Sequence, residues 1–174
     1  MEETIVAPAT PVGRGGVAII RLSGVDAVLV GEGICGKLPK PRHFKPCSVV
    51  DPKGDMIDSG LVVFFSAPQS YTGEDVVEIH CHGNPLIVDS IVSVAVELGA
   101  RMAEPGEFTK RAYLNNKLDL AQAESVADLI SAKTLSAVKG ASSSLSGNFS
   151  KEIVASIGRL VDIRVLVEAA LDFP

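Results

Sequence analysis

The chain has 174 residues, of which 47% are hydrophobic and 21% charged, and a formal net charge of −5. This is ordinary globular usage, which excludes a disordered chain, and the acidic balance argues against independent binding of nucleic acid, where phosphates call for clustered Lys and Arg. The longest apolar run, Leu61–Phe65, is far short of the ~20 residues of a bilayer helix, and Met1-Glu2-Glu3 lacks the basic start and apolar stretch of a signal peptide.

All but three of the 16 Gly and all but the last of the 10 Pro lie in residues 1–117. Both residues punctuate turns and are costly inside helices. The chain is therefore expected to be α+β: a turn-rich mixed domain over 1–117, then a nearly all-helical segment over 118–174 that stops without a helix-ending Gly. Strands are expected at Thr4–Ala7, Val17–Leu22, Cys47–Asp51, Gly60–Phe65 and Val76–His82, from Val, Ile and Phe enrichment between Gly and Pro. Between the first two, Gly13-Arg14-Gly15-Gly16 is either a tight turn or a loop whose amides approach an anion. Arg21 ends the apolar run Val17–Ile20, where it either points into a cleft or snorkels at the surface.

A helix over Asp26–Ile34 follows. The segment Asp75–His82 alternates with period two: Val77, Ile79 and Cys81 face one side, and Glu78, His80 and His82 the other. Three polar groups on one strand face fit an organic ligand, a metal held by His80 and His82, or a half-exposed strand. Asn84-Pro85 caps a helix that Gly99 stops, and Glu107–Leu114 forms another, with Phe108 and Ala112 on one face.

Asn116-Lys117-Leu118-Asp119 copies the guanine-reading NKxD, but it joins two helices in a chain with no GxxxxGK[ST] phosphate loop. Asp119 reads instead as a helix cap with Gln122 as its capping-box partner. Lys117, at the hinge, is free to reach a ligand. Ala123, Val126, Ala127 and Ile130 share a face of the helix that follows. From Phe149 to Leu171 the positions Ile153, Ile157, Leu160, Val167 and Leu171 form one apolar stripe, with Arg164 in its gap. The odd set Cys35, Cys47 and Cys81, with no CxxC, reads as reduced thiols in a cytoplasmic protein. Mean hydropathy is +0.31, high for a soluble monomer, so part of the surface is expected to be covered by a partner or further chain.

Four segments, Ala9–Val17, Ser70–Val76, Pro105–Phe108 and Asn116–Glu124, closely resemble the N-terminal region of the MnmE (TrmE) family, bacterial GTPases that modify the wobble uridine of certain tRNAs. The resemblance runs in order from Thr4 to Pro174. It implies a domain over 1–117 that binds a tetrahydrofolate derivative (5-formyl- or 5,10-methylene-tetrahydrofolate) and forms a homodimer, similar to the folate domains of aminomethyltransferases. It also implies that 118–174 begins a helical domain. Full-length members also use GTP, Mg and K, and act with the flavoprotein MnmG on tRNA uridine C5. The GTPase domain is absent here, so neither GTP hydrolysis nor a catalytic residue is expected of this chain.

The family's folate contacts correspond to Arg21, Glu78 and Lys117. The family's usual Gln-Gly-His-Gly-Gly is His80-Cys81-His82-Gly83-Asn84 here. His82 and Gly83 match; His80, Cys81 and Asn84 do not, so the resemblance gives His80 no role. Two alternatives stay open: a metal-dependent enzyme built on His80 and His82, and a dimerisation scaffold with no ligand.

Overall fold

The computed structural model describes residues 3–173. Among them, β1 (Ile5–Pro8), β2 (Gly15–Ser23), β3 (Phe44–Val50), β4 (Met56–Phe65), β5 (Val76–Gly83) and β6 (Arg101–Met102) form one sheet in the order β3-β4-β5-β2-β1-β6. Neighbours are antiparallel except β1 and β6, which run parallel. Strand alternation sends Ala18, Ile20 and Leu22 of β2, Val62 of β4 and Val77, Ile79 and Cys81 of β5 to one face. There α1 (Ala27–Cys35) and α2 (Pro85–Glu97) cover them with Val30, Ile34, Ile91 and Ala95. Each large aliphatic chain buried this way contributes about 1.5–3 kcal/mol.

The opposite face is set by register. Leu61, His80 and Ile19 lie side by side across β4, β5 and β2, and so do Val63, Glu78 and Arg21. The polar positions of β5 therefore share a surface with Arg21 because the strands pair without slipping there.

Helix ends follow their sequence signals. The Asn84 side chain accepts a 3.0 Å hydrogen bond from the Leu86 N–H ahead of Pro85, and Gly99 takes a φ of +104° just past α2. The third helix, α3, spans Glu107–Leu114 as expected. At α1 the flanking Asp26 makes no side-chain cap; its N–H instead donates to Thr4 Oγ1 at 2.9 Å. The two-residue β6 was not anticipated. It exists because Arg101 N–H and Ala103 N–H reach the carbonyls of Thr4 and Val6 at 2.8 and 2.9 Å.

The backbone divides into two compact units, Met1–Lys117 and Leu118–Pro174. The second holds α4 (Leu120–Ser131), α5 (Leu135–Leu145) and α6 (Asn148–Asp172). Asp119 and Gln122 form the full capping box of α4, each side chain bonded to the other's backbone N–H at 2.9 Å. On α4, Ile130 is exposed rather than part of a covered face. On α6 the expected single stripe is too narrow a description. Val154, Val161, Ile163, Val165 and Leu166 are also exposed, so apolar side chains project from more than one side of this helix. No helix of the described residues is long and apolar enough to cross a membrane.

Gly60 sits where β4 passes β5, and a Cβ there would run into the carbonyl oxygen of His80. Gly60→Ala is expected to lower stability by about 1–3 kcal/mol through overpacking. Gly140→Ala, in open space on α5, should leave stability unchanged or raise it by about 0.5–1 kcal/mol. Urea unfolding followed by circular dichroism measures both.

Candidate functional site

Antiparallel pairing sets Arg21 directly opposite Glu78. Arg21 Nε donates to Glu78 Oε1 at 2.8 Å, and Nη2 lies 2.7 Å from the same oxygen as an ion-pair contact. Both side chains are largely buried, 25% and 15% exposed, so water screens the pair only weakly. Glu78 Oε2 receives no hydrogen bond from the described residues. His80 Nε2 lies 3.8 Å from Oε2, beyond hydrogen-bonding reach. The His80 and Phe44 rings stand nearly perpendicular, with centroids 5.2 Å apart.

Two aromatic rings hold the Arg21 guanidinium from other elements. Its central carbon lies 5.3 Å from the Tyr71 ring centroid and 5.5 Å from that of Phe108. Cation–π contacts of this kind contribute about 0.5–2 kcal/mol each. Tyr71 belongs to the loop 66–75 and Phe108 to α3. The two are tied by Tyr71 Oη and Thr109 Oγ1 at 2.9 Å, and by Asn115 Nδ2 donating to the Thr72 carbonyl at 2.7 Å. The outer-face reading of Arg21 and Glu78 thus becomes a half-buried ion pair with an aromatic clamp.

Lys117 meets the loop 66–75. Its Nζ donates to the Pro68 carbonyl at 2.9 Å, and its aliphatic stem packs beside Gly73, whose φ is +82°. It is tied to the same loop that carries Tyr71, with an exposed ammonium, but it makes no direct contact with Arg21 or Glu78. Asn116 adopts a left-handed φ of +56° and Asp119 caps α4, so the NKxD segment serves as a turn between helices.

His82 turns away to Asp58: its ring Nδ1 lies 2.8 Å from Oδ1, and its backbone N–H donates to Oδ2 at 2.8 Å. Burial, the largest influence on Asp58, raises its pKa. Hydrogen bonds from the His82 backbone and ring and from Ser59 N–H outweigh it and leave the carboxyl below its ordinary range. Among the described residues, no three His, Cys, Asp or Glu side chains are grouped to hold a metal ion, and His80 and His82 have no third partner for one.

What the sequence reading missed is the scaffold beneath the clamp. Arg111, 4% exposed, donates to both oxygens of Glu74 at 3.1 Å, to the Glu3 carbonyl at 2.8 Å and to Glu107 Oε1 at 3.1 Å. Arg101 adds a two-pronged contact to Glu107 at 2.6 and 3.1 Å. Ser23 Oγ closes the other end on Glu74 Oε2 at 2.7 Å. The Arg101 guanidinium draws the Glu107 carboxyl down to about 2 against the opposing effect of burial, with help from the Glu104 N–H and Arg111.

Because the folded value lies below the ordinary one, the stability from Glu107 is complete above pH about 4.5 and is lost as pH falls toward 2. Glu107→Gln is expected to be less stable at neutral pH and to show a shallower loss across that acid window. Arg111→Met should cost about 3–5 kcal/mol, since it strands buried carboxylates. Urea midpoints measured from pH 7 to pH 2 check both.

Comparison with known proteins gives two family matches that together run almost the length of the chain. Residues 4–117 match the family described as GTP-binding protein TrmE N-terminus, and residues 120–174 match the MnmE helical domain. The chain is 55% identical over 173 residues to a protein named tRNA modification GTPase MnmE from Francisella tularensis, and 55% identical over 171 residues to one of the same name from Neisseria meningitidis. These alignments cover 99% and 98% of this chain but 38% of each relative, so the chain spans well under half their length. With its sheet domain matching the first family model and its helices the second, the chain belongs to the MnmE (TrmE) family.

Proposed function

We propose that residues 4–117 bind a reduced folate, a tetrahydrofolate derivative, on the outer face of the sheet, and that the chain is the folate-binding, dimer-forming part of a GTPase that modifies tRNA. The observation that carries this reading is the Arg21–Glu78 pair under its aromatic clamp. Arg21 occupies one oxygen of Glu78 and leaves the other, Oε2, available on a face walled by apolar rings. A pterin presents an amino group and a ring N–H along one edge, and a carboxylate is the acceptor that fits such a pair of donors.

Tyr71 and Phe108 supply flat apolar surface for the ligand's rings. Lys117, exposed at the neighbouring loop, suits the anionic glutamate tail. The residues present therefore fit the group in their chemistry. When bound, a reduced folate supplies a one-carbon unit. The chain's own residues hold its polar edge, stack on its rings and pair its carboxylates.

Titration calorimetry with 5-formyltetrahydrofolate tests the reading and separates it from a ligand-free scaffold. Glu78→Ala is expected to weaken binding by roughly five- to a hundred-fold, the equivalent of about 1–3 kcal/mol for ligand donors left unpaired. Arg21→Ala and Lys117→Ala should weaken it less steeply, with Lys117→Ala the more salt-dependent because its ammonium is exposed. Absence of binding by the parent chain would overturn the folate reading.

The homodimer rests on the high mean hydropathy and on the dimeric domain that the family resemblance implies for residues 1–117. Light scattering at tens of micromolar should give twice the 18.2 kDa chain mass; a monomer throughout that range would remove the dimer from the proposal.

A further inference from the structure

We propose that His80 is a further ligand-binding residue of this site, its Nε2 taking the second hydrogen bond at the polar edge of the ligand that Glu78 Oε2 holds. The proposal rests on the folate reading and extends it to a position for which the family resemblance offers no role.

Three observations carry it. First, His80 Nε2 is a buried polar atom with no hydrogen-bond partner in the protein. Burying such an atom unpaired costs about 1–3 kcal/mol, so its placement calls for a compensating contact. Second, its position is fixed. The ring packs nearly perpendicular to Phe44, and on the sheet surface His80 lies between Leu61 and Ile19 while Glu78 lies between Val63 and Arg21. Gly60 keeps β4 close beneath the His80 backbone. Third, Nε2 stands 3.8 Å from Glu78 Oε2. That gap is too long for the two to bond each other, yet short enough for neighbouring ligand atoms to meet both.

Arg21 enforces the arrangement. Its Nε donates to Oε1, with Nη2 2.7 Å from that same oxygen, and Oε2 is the Glu78 oxygen nearer His80 Nε2. An imidazole Nε2 offers one hydrogen bond in either tautomer. A pterin edge, with its amino hydrogens, ring N–H and adjacent carbonyl, can meet a carboxylate oxygen and an imidazole nitrogen together. His82 does not share this role, because Asp58 already takes its ring nitrogen at 2.8 Å. A cavity of about 210 Å³ bordered by Gly16, Val17, Leu61, His80 and His82 adjoins this stretch of β5.

The experiment compares His80→Phe, His80→Gln and Glu78→Ala in the full chain by calorimetry with 5-formyltetrahydrofolate, with melting temperatures recorded alongside. Phe keeps the ring packing and removes the nitrogen, whereas Gln places an amide at a similar reach. His80→Phe should bind five- to a hundred-fold more weakly while melting no lower than the parent, and His80→Gln should stay within a few-fold of the parent. In parallel, the Nε2 nitrogen resonance of His80 in the parent should shift on adding ligand while that of His43 does not. This readout stands even where a variant fails to fold.

If Glu78→Ala loses the ligand but His80→Phe binds like the parent, or if the His80 resonance does not move while ligand binds, the role of His80 is overturned and the folate reading survives. If the parent binds no folate, both fall.

Discussion

A single buried guanidinium organises the outer face of the sheet around the candidate site. Arg111 reaches Glu74 in the loop 66–75, Glu107 one turn earlier on α3, and the backbone of Glu3 ahead of β1. Buried ion pairs contribute little net stability, because desolvation offsets most of the attraction. Their directionality is another matter. A planar fork with several donors satisfied at once fixes the relative placement of everything it touches. Through Arg111, the loop and α3 are held where Tyr71 and Phe108 can close on Arg21, and Arg21 in turn orients Glu78. The site is thus positioned by a network that does not belong to it.

Comparing carboxylates on the same domain sharpens the distinction between scaffold and site. Glu107 is bound on both oxygens by Arg101, Arg111 and the Glu104 N–H; Glu74 on both by Arg111, with Ser23 added; Asp58 on both through His82. Among these four groups, Glu78 alone keeps an oxygen without a protein donor, and the unpartnered His80 nitrogen faces it. Saturated groups lock structure, and the unsaturated pair is the part of the domain on which the proposed folate contact rests.

The parts of the fold readable from sequence were those encoded locally. Asn84-Pro85, Gly99 and the Asp119–Gln122 box carry their own capping chemistry, and the alternation of Val77, Ile79 and Cys81 against Glu78 and His80 follows from strand geometry alone. Arg21 and Glu78 could be nominated because charged residues bordering or interrupting apolar strands are unusual. Their pairing could not, since register depends on which strands become neighbours. The aromatic clamp was hidden because Tyr71 and Phe108 come from a loop and a helix 37 positions apart. The Arg111 network was hidden because a buried Arg on a short polar helix looks like a solvated one. The two-residue β6 has no propensity of its own and is created by its partner. The bond of Lys117 to the Pro68 carbonyl depends on a loop whose path the sequence does not show.

The parallel pairing of β1 with β6 ties the front of the domain to its back. Thr4 and Val6 bond residues 101 and 103, and Glu3 meets Arg111 across a separation of 108 positions. On a ribosome producing about 5–20 residues per second, β1 therefore waits several seconds with one edge unmatched before its parallel neighbour emerges. The hairpins β3–β4 and β4–β5 can pair long before that. Closing so distant a contact carries a loop-entropy cost that local pairings do not, which makes it a slow event in assembly. The face bearing Arg21 and Glu78 can gain its full clamp only after that, since Phe108 on α3 follows β6 along the chain.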